Sequence, residues 1–553
     1  MDIRDFMKDR TVILDGATGT ELYKYTDKKV RRSEEMNLAD PHAVYSVNRS
    51  YFDAGSDVVL TNTFGVTPLL YDPGTLEKMI SSAVSSAKKA RDDNGEDRPK
   101  FIALDIGPTG KLIGRYGELD FDGAVRAFSE VVRIGASHGA DLIMIETMSD
   151  SYEAKAALLA AKECCDLPVF VSCAYGENGR MMTGAAPQAV IPMLEGMGAD
   201  AVGVNCSFGP EQSAAVIKEY LEYASVPVLL KPNAGLPRQI NGMSVYDTLP
   251  DVFASRVAAC IAEGVRISGG CCGTTPAHIK ELAGYVKNIS PAALTDKGVC
   301  CVSSHRKTVC FSKDPVLIGE KINPTGNKKV GQALLDRDYD TIVDIALDQA
   351  DAGARIIDVN VSQPGVDEAE AMKDAVTELQ TVTDLPLAVD TPSPAVMESG
   401  LRYYNGCPLV NSVNGRKTSM DRIFPLVKKY GGTVVALTLD ENGIPDTAEG
   451  RFEIASKILL YAKGYGIGKN RIIFDPLVLA ACVYPDGDKV TLESVRLITE
   501  RLGCRTLLGI SNISYGLPDR AEKNREFLKR SLDAGVSAVI ADPCGEGISD
   551  LME

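Results

Sequence analysis

Three cysteines carry the sharpest chemistry in this sequence. Cys271 and Cys272 adjoin in Gly269-Gly270-Cys271-Cys272-Gly273-Thr274-Thr275-Pro276, after the apolar run 265–267 and ahead of a helical segment. Adjacent cysteines on a glycine loop do not close easily into an unstrained disulfide, but at a strand end they are placed to chelate one soft metal ion. Two thiolates leave a tetrahedral zinc site short of ligands. Val204-Asn205-Cys206-Ser207 offers a third, again just past a short apolar run. Three thiolates with an open fourth position describe a catalytic zinc rather than a structural one. The competing reading, small thiols packed as hydrophobes, fits a lone cysteine better than this clustered set.

The elements that must position these thiols form a regular series. Short β-rich runs at 12–14, 57–60, 101–104, 141–145, 169–173, 201–204, 226–230 and 265–267 alternate with helical stretches. Eight such repeats predict a (β/α)8 barrel, whose sites lie at the C-terminal strand ends. The polar motifs fall there: Asp15 to Glu21 after the first strand, Thr61 to Gly65 after the second, Asp105 to Gly110 after the third. Glu146-Thr147 ends the fourth, Cys206 follows the sixth, Lys231 to Gly235 the seventh, and the cysteine pair the eighth.

A second series, at 316–319, 355–359, 387–389, 409–411, 433–437, 471–474, 506–510 and 538–541, predicts a second barrel. The fold class is thus α/β, two TIM barrels in tandem, spanning 1–287 and 315–553 around a linker at 288–314 with room for an edge strand. Cys300, Cys301, His305 and Cys310 in that linker fit no familiar zinc spacing and read as incidental thiols. Only about ten residues follow the last strand, barely room for its covering helix, which points to a chain that continues further. Acidic and amide residues ring the second mouth: Glu320 and Asn323, Asp358 and Asn360, Asp390, Asn411, Asp475, Asn512 and Asp542. Such a ring, without histidine or thiol, suits a neutral heterocycle rich in donors and acceptors, of which a pterin is one.

The chain has 553 residues, too many for one core, and a net charge of −16, which argues against nucleic-acid or anionic-membrane partners. No apolar run is long enough to cross a bilayer. Fourteen cysteines in so long a chain, with a charged start, fit a reducing cytoplasm rather than a disulfide scaffold.

The motifs GGCCGTTP, VNCS, DGATGTEL and TNTFG resemble the homocysteine S-methyltransferase family. GEKINPTG, DVNVSQPG, FDP and SNISYGLPDR resemble the pterin-binding domains that use 5-methyltetrahydrofolate, and in this order the two resemble the N-terminal half of the cobalamin-dependent methionine synthase family. The resemblance implies Cys206, Cys271 and Cys272 as zinc ligands, with Asn233 able to approach the metal when no thiol is bound. It implies Asp15 and Glu146 around the homocysteine amino group, with loop amides after the first strand on its carboxylate. It further implies pterin contacts from Asp390, Asn411 and Asp475, and Asn512 reaching towards N5. Glu320, Asn323, Asp358 and Asn360 match motif positions whose separate roles are less defined. None of the four histidines, His42, His138, His278 and His305, lies in the Asp-x-His-x-x-Gly motif of that family's cobalamin module. The resemblance therefore implies cobalamin supplied from outside this chain, by another domain or protein or as free cofactor.

The folate tail is anionic, and Lys328-Lys329 and Arg416-Lys417 are candidates to meet it, with solvated loop charge as the alternative. Three rival readings stand beside this one. The first barrel could use a sulfonium or betaine donor without a corrinoid. The second could act like dihydropteroate synthase, for which no clear pyrophosphate site is visible. Or the chain could be a carrier-docking protein with a structural zinc, which would need a fourth strong ligand.

Overall fold

Eight parallel strands in the first half are β1 (Val12–Ile13), β2 (Val58–Leu60), β3 (Phe101–Ile106), β4 (Leu142–Met148), β5 (Val169–Cys173), β6 (Ala201–Asn205), β7 (Val228–Lys231) and, past a small antiparallel hairpin of β8 (Arg238–Ile240) and β9 (Met243–Val245), β10 (Ile267–Ser268). They pair in the order β1-β10-β7-β6-β5-β4-β3-β2. The computed structural model describes residues 1–236, 238–240, 243–312 and 314–552. The chain divides into two units, Met1–Lys297 and Gly298–Glu553.

The seam between β1 and β2 is joined largely by side chains. The Asp57 amide donates to Ile13 O (2.7 Å), the Ile13 amide to Asp57 Oδ2 (2.9 Å) and the Leu60 amide to Asp15 Oδ2 (2.7 Å). β1 is only two residues long, so carboxylates stand in for the backbone acceptors that a longer strand would supply. The surrounding helices are amphipathic. In Phe121–Ser137 the buried Phe121, Ala124, Val125, Phe128, Val131 and Val132 recur at helical spacing, and Asp120 caps the first turn.

The second unit closes fully, as β13 (Val316–Ile322), β14 (Ile356–Val359), β15 (Leu387–Asp390), β16 (Leu409–Asn414), β17 (Thr433–Leu437), β18 (Ile472–Asp475), β19 (Arg505–Gly509) and β20 (Ala538–Ala541). Both units are thus eight-stranded parallel α/β barrels, as the strand spacing predicts.

Each barrel is stoppered at its N-terminal end by the segment that precedes it. In the first, Ile3, Phe6 and Met7 pack with Val12, Val58, Phe101, Leu142, Phe170, Ala201, Leu229 and Ile267, drawn from all eight strands. In the second, an antiparallel hairpin of β11 (Cys301–Ser303) and β12 (Thr308–Cys310) does this work. Its Val302 and Val309, with Cys300 and Phe311, join a core with Val316, Ile356, Ala388, Leu409, Val435, Ile473, Leu507 and Ala538. Part of the stretch expected to be linker, 298–314, therefore lies in the second unit. With each floor sealed by apolar burial, the open ends are the C-terminal ones.

Candidate functional site

The three thiols meet at the C-terminal mouth of the first barrel. Among the described residues, Cys206, Cys271 and Cys272 form the one group of potential ligands close enough to share an ion, their sulfurs all within 4.8 Å of one another. The Sγ atoms of Cys206 and Cys272 are 3.5 Å apart. Tetrahedral Zn–S bonds of about 2.3 Å place sulfurs about 3.8 Å apart, so the set fits zinc. A further sign of fit is Asn233, only 4% exposed, whose Oδ1 has no hydrogen-bond partner.

The backbone holds this geometry. Cys271 N donates to Pro232 O and Ala234 N to Cys272 O, both at 2.9 Å, which ties the cysteine loop to the segment after β7. Gly273 has φ +81°, and a Cβ there would lie 2.2 Å from the Tyr246 ring. Thr275 and His278 form a capping box that opens the helix Pro276–Val286 directly after the loop. Cys206 itself has φ +50°. Hydrogen bonds from Cys206 and Cys271 pull the Cys272 thiol down to about 3. Cys206 is pulled down by Cys271, but Cys272 and burial outweigh this and push it up to about 12. One thiolate is thus stabilised by the other two thiols, and a cation is needed to ionise all three.

The thiols share a cavity of about 420 Å³ with Asp15, Asp105, Glu146, Lys231 and the loop from Gly16 to Thr20. Lys231 is buried, its Nζ 2.6 Å from Glu146 Oε2 and 4.0 Å from Asp15 Oδ1. Burial works against its charge, but Glu146 and Asp15 outweigh this and hold the ammonium above the ordinary lysine value. Burial raises Asp15 to about 6. Burial and then the charge of Glu146 raise Asp105 well above the carboxylate range. Asp15 Oδ1 and Asp105 Oδ1 have no hydrogen-bond partner. Three carboxyls against one ammonium leave the pocket an attractive place for a further cation.

At the second mouth a hydrogen-bonded chain crosses β14 to β16. Asn360 Nδ2 donates to Asp390 Oδ2 (3.0 Å) and Asn411 Nδ2 to Asp358 Oδ1 (3.2 Å). Burial, then the charge of Asp390, push the Asp358 carboxyl well up, and burial raises that of Asp390 as well. Glu320 accepts from Ser511 Oγ at 3.0 Å, and burial raises its carboxyl. Burial also raises Asp475, to about 6, while its Oδ1 accepts from Leu477 N. Arg451, 1% exposed, clamps the turn that follows, donating to Pro476 O (2.7 Å), Leu477 O (2.9 Å) and Thr491 Oγ1 (3.0 Å).

The structure brings Asp358, Asn360, Asp390 and Asn411 together and joins Glu320 to the loop that carries Asn512. Asn512 is exposed on the turn Ile510–Ser514. Asn323 Oδ1 accepts from Thr325 N at 3.0 Å, which is the turn-forming alternative for such a residue. Lys417 pairs with Asp421 and Arg416 Nε donates to Asp440 O, while Lys328 and Lys329 are exposed. Cys301 and Cys310 face each other across the β11–β12 hairpin and join no metal group among the described residues. Asp105, Lys231, Tyr246 and Arg451 escaped the sequence reading as site residues. The first two stand at strand ends within motifs already noted, which is the signal that could have found them. Arg451 lies in the first turn of the helix Ala448–Gly464, away from any strand-end motif, and gives none.

Residues 12–286 match the family model for homocysteine S-methyltransferase, and residues 319–542 that for pterin binding enzymes. The methionine synthase of Mycobacterium tuberculosis is 32% identical over 98% of this chain and 48% of that protein. The methionine synthase of Mycobacterium leprae is 31% identical over the same shares. The chain thus spans about half the length of these curated relatives. Among solved structures, the metallated homocysteine methyltransferase MmuM from Escherichia coli is 21% identical, over 51% of this chain and 99% of that one, with a TM-score of 0.44. The chain is therefore a homocysteine S-methyltransferase-family domain followed by a pterin-binding-enzyme domain, matching the N-terminal half of the methionine synthases.

Proposed function

We propose that this chain transfers the methyl group of 5-methyltetrahydrofolate to homocysteine, giving methionine and tetrahydrofolate, with the acceptor in the first barrel and the donor in the second. Cobalamin is the carrier, supplied by a domain or protein outside this chain. The observation that carries the reading is the convergence of three thiols and three buried carboxyls on one cavity.

In the first barrel Cys206, Cys271 and Cys272 hold a zinc ion, with Asn233 as a displaceable neighbour. Bound zinc would supply the Lewis acidity that lowers the pKa of an incoming thiol, so that its proton is released to solvent. Three cysteinates make the centre electron-rich, so a fourth sulfur stays nucleophilic where oxygen or nitrogen ligands would dull it. Asp15, Asp105 and Glu146 attract the ammonium of the amino acid. Lys231 keeps Glu146 in place, and the loop from Gly16 to Thr20 faces the carboxylate.

In the second barrel Asp390, Asn411 and Asp475 offer the pterin edge a set of fixed acceptors and donors, with Glu320, Asn323, Asp358 and Asn360 around them. Asp475 and Asn512 are the groups proposed to act on the reacting end, by hydrogen bonds that strengthen as charge develops at N5. Fourteen unpaired cysteines suit a reducing cytoplasm as the place of work.

The test is methionine formation from homocysteine and added methylcobalamin, followed by loss of the cobalt–carbon absorbance. Turnover by the native protein, its loss on chelation and its return with zinc support the reading. A chelator-insensitive rate, or none with zinc bound, overturns it.

A further inference from the structure

Asn205 is the last residue of β6, one before Cys206, and is 1% exposed. Its carboxamide bridges three strands. Oδ1 accepts from Thr147 N (2.8 Å) and from Ser172 Oγ (2.8 Å), while Nδ2 donates to Thr147 Oγ1 (2.7 Å). Thr147 lies in β4, directly after Glu146, and Ser172 lies in β5.

The residues flanking this bridge are unusual. Thr147 has φ +63° and Cys206 has φ +50°, both in the left-handed region although neither is glycine. Each such residue costs about 1 kcal/mol or more and persists only where its surroundings hold it. The β4–β5 register also shifts between Ile145 and Met148, across Glu146 and Thr147. A bulge at a strand end re-aims side chains. Here it turns Glu146 to Lys231, and the left-handed Cys206 turns its thiol to Cys272. With Oδ1 and Nδ2 both engaged by Thr147, asparagine completes the bridge without charge, whereas an aspartate would bring a buried negative charge beside Glu146 and the thiols.

We propose that Asn205 is a positioning residue that fixes two parts of the site at once, the Cys206 thiol and the Glu146 carboxylate. This rests on the reading of the three thiols as a zinc site. It makes metal geometry and amino-acid binding depend on one buried amide that touches neither ligand.

The test uses the whole chain with Co(II) in place of zinc, since the visible bands of Co(II) report ligand geometry directly. Native protein binding one Co(II), with the bands lost in Cys272→Ser, establishes the metal reading by itself; failure there overturns both readings. In Asn205→Ala and Asn205→Asp the proposal expects shifted Co(II) bands and zinc affinity about tenfold or more weaker in chelator competition. It also expects a higher KM for homocysteine, while the circular dichroism stays native. Ser172→Ala, which removes one bond and leaves the Thr147 pair, should move the same readouts in the same direction by less. It decides the question should the Asn205 variants fail to fold. A folded Asn205→Ala protein, or Ser172→Ala in its place, with native bands and native zinc affinity overturns the proposal.

Discussion

Lys231 Nζ lies 2.6 Å from Glu146 Oε2, with side chains only 3% and 9% exposed, at the end of β7 and within β4. A pair this far from water behaves unlike a surface ion pair. Removing one partner strands the other charge, at a cost of about 3–5 kcal/mol. Lys231→Met is expected to lose that much stability, and adding Glu146→Gln to recover part of it. Urea unfolding of both single variants and the double variant at pH 7 measures the coupling.

Gly273→Ala is expected to cost metal affinity. The residue sits at φ +81° with the Tyr246 ring 2.2 Å from where a Cβ would go. The loop would have to move, and Cys271 and Cys272 with it. Gly284, inside the helix Pro276–Val286 with nothing within 4 Å of its Cβ direction, is the control. Gly284→Ala should stabilise by about 0.5–1 kcal/mol and leave zinc content after dialysis unchanged.

Asp475 links stability, pH and ligand binding. Burial raises its carboxyl from 3.8 to about 6, so the folded chain binds this proton more tightly than the unfolded one. The cost of the buried charge is absent below about 3.8 and fully present above about 6. It amounts to about 3 kcal/mol. Asp475→Asn keeps an acceptor for the Leu477 amide and removes the charge. It should therefore stabilise the protein by up to about 3 kcal/mol at pH 7.5, with the gain shrinking at pH 5, while pterin binding weakens. In the native protein pterin affinity should rise as the pH climbs through about 6. Urea midpoints and folate titrations at the two pH values check both signs.

Arg451→Met is expected to destabilise by about 2–4 kcal/mol, because the carbonyls of Pro445 and Pro476 lose their donor and that of Leu477 keeps only Thr491 Oγ1. Leu477, at φ +70°, would lose the clamp that holds its turn, and Asp475 beside it would be misplaced. Thermal melts and folate binding together separate this from a surface change.

The repeating strands were legible because buried parallel strands read as short β-branched runs bounded by polar turns, and both barrels follow from that pattern. The thiols were legible because Cys271-Cys272 and Cys206 fall at strand ends in register. The β11–β12 hairpin was legible only as an edge strand within a linker. Its apolar stretches are only about three residues long and its turn, His305-Arg306, carries no glycine or asparagine to mark it. Arg451 was missed for a different reason: charge in a sequence reads as surface, and only the fold reveals its burial, whereas Asp105 and Lys231 stood in strand-end motifs without a role assigned to them. The left-handed Thr147 and Cys206 likewise leave no trace in residue type, since neither is glycine.

Cys206, Cys271 and Cys272 are expected to hold a zinc that takes the homocysteine sulfur as its fourth ligand. Zinc K-edge X-ray absorption of the native protein, before and after homocysteine, tests it most directly. Three sulfurs at about 2.3 Å should rise to four on addition of homocysteine, with Cys272→Ser starting one sulfur lower. A sulfur count unchanged by homocysteine, or four protein sulfurs from the outset, would contradict it.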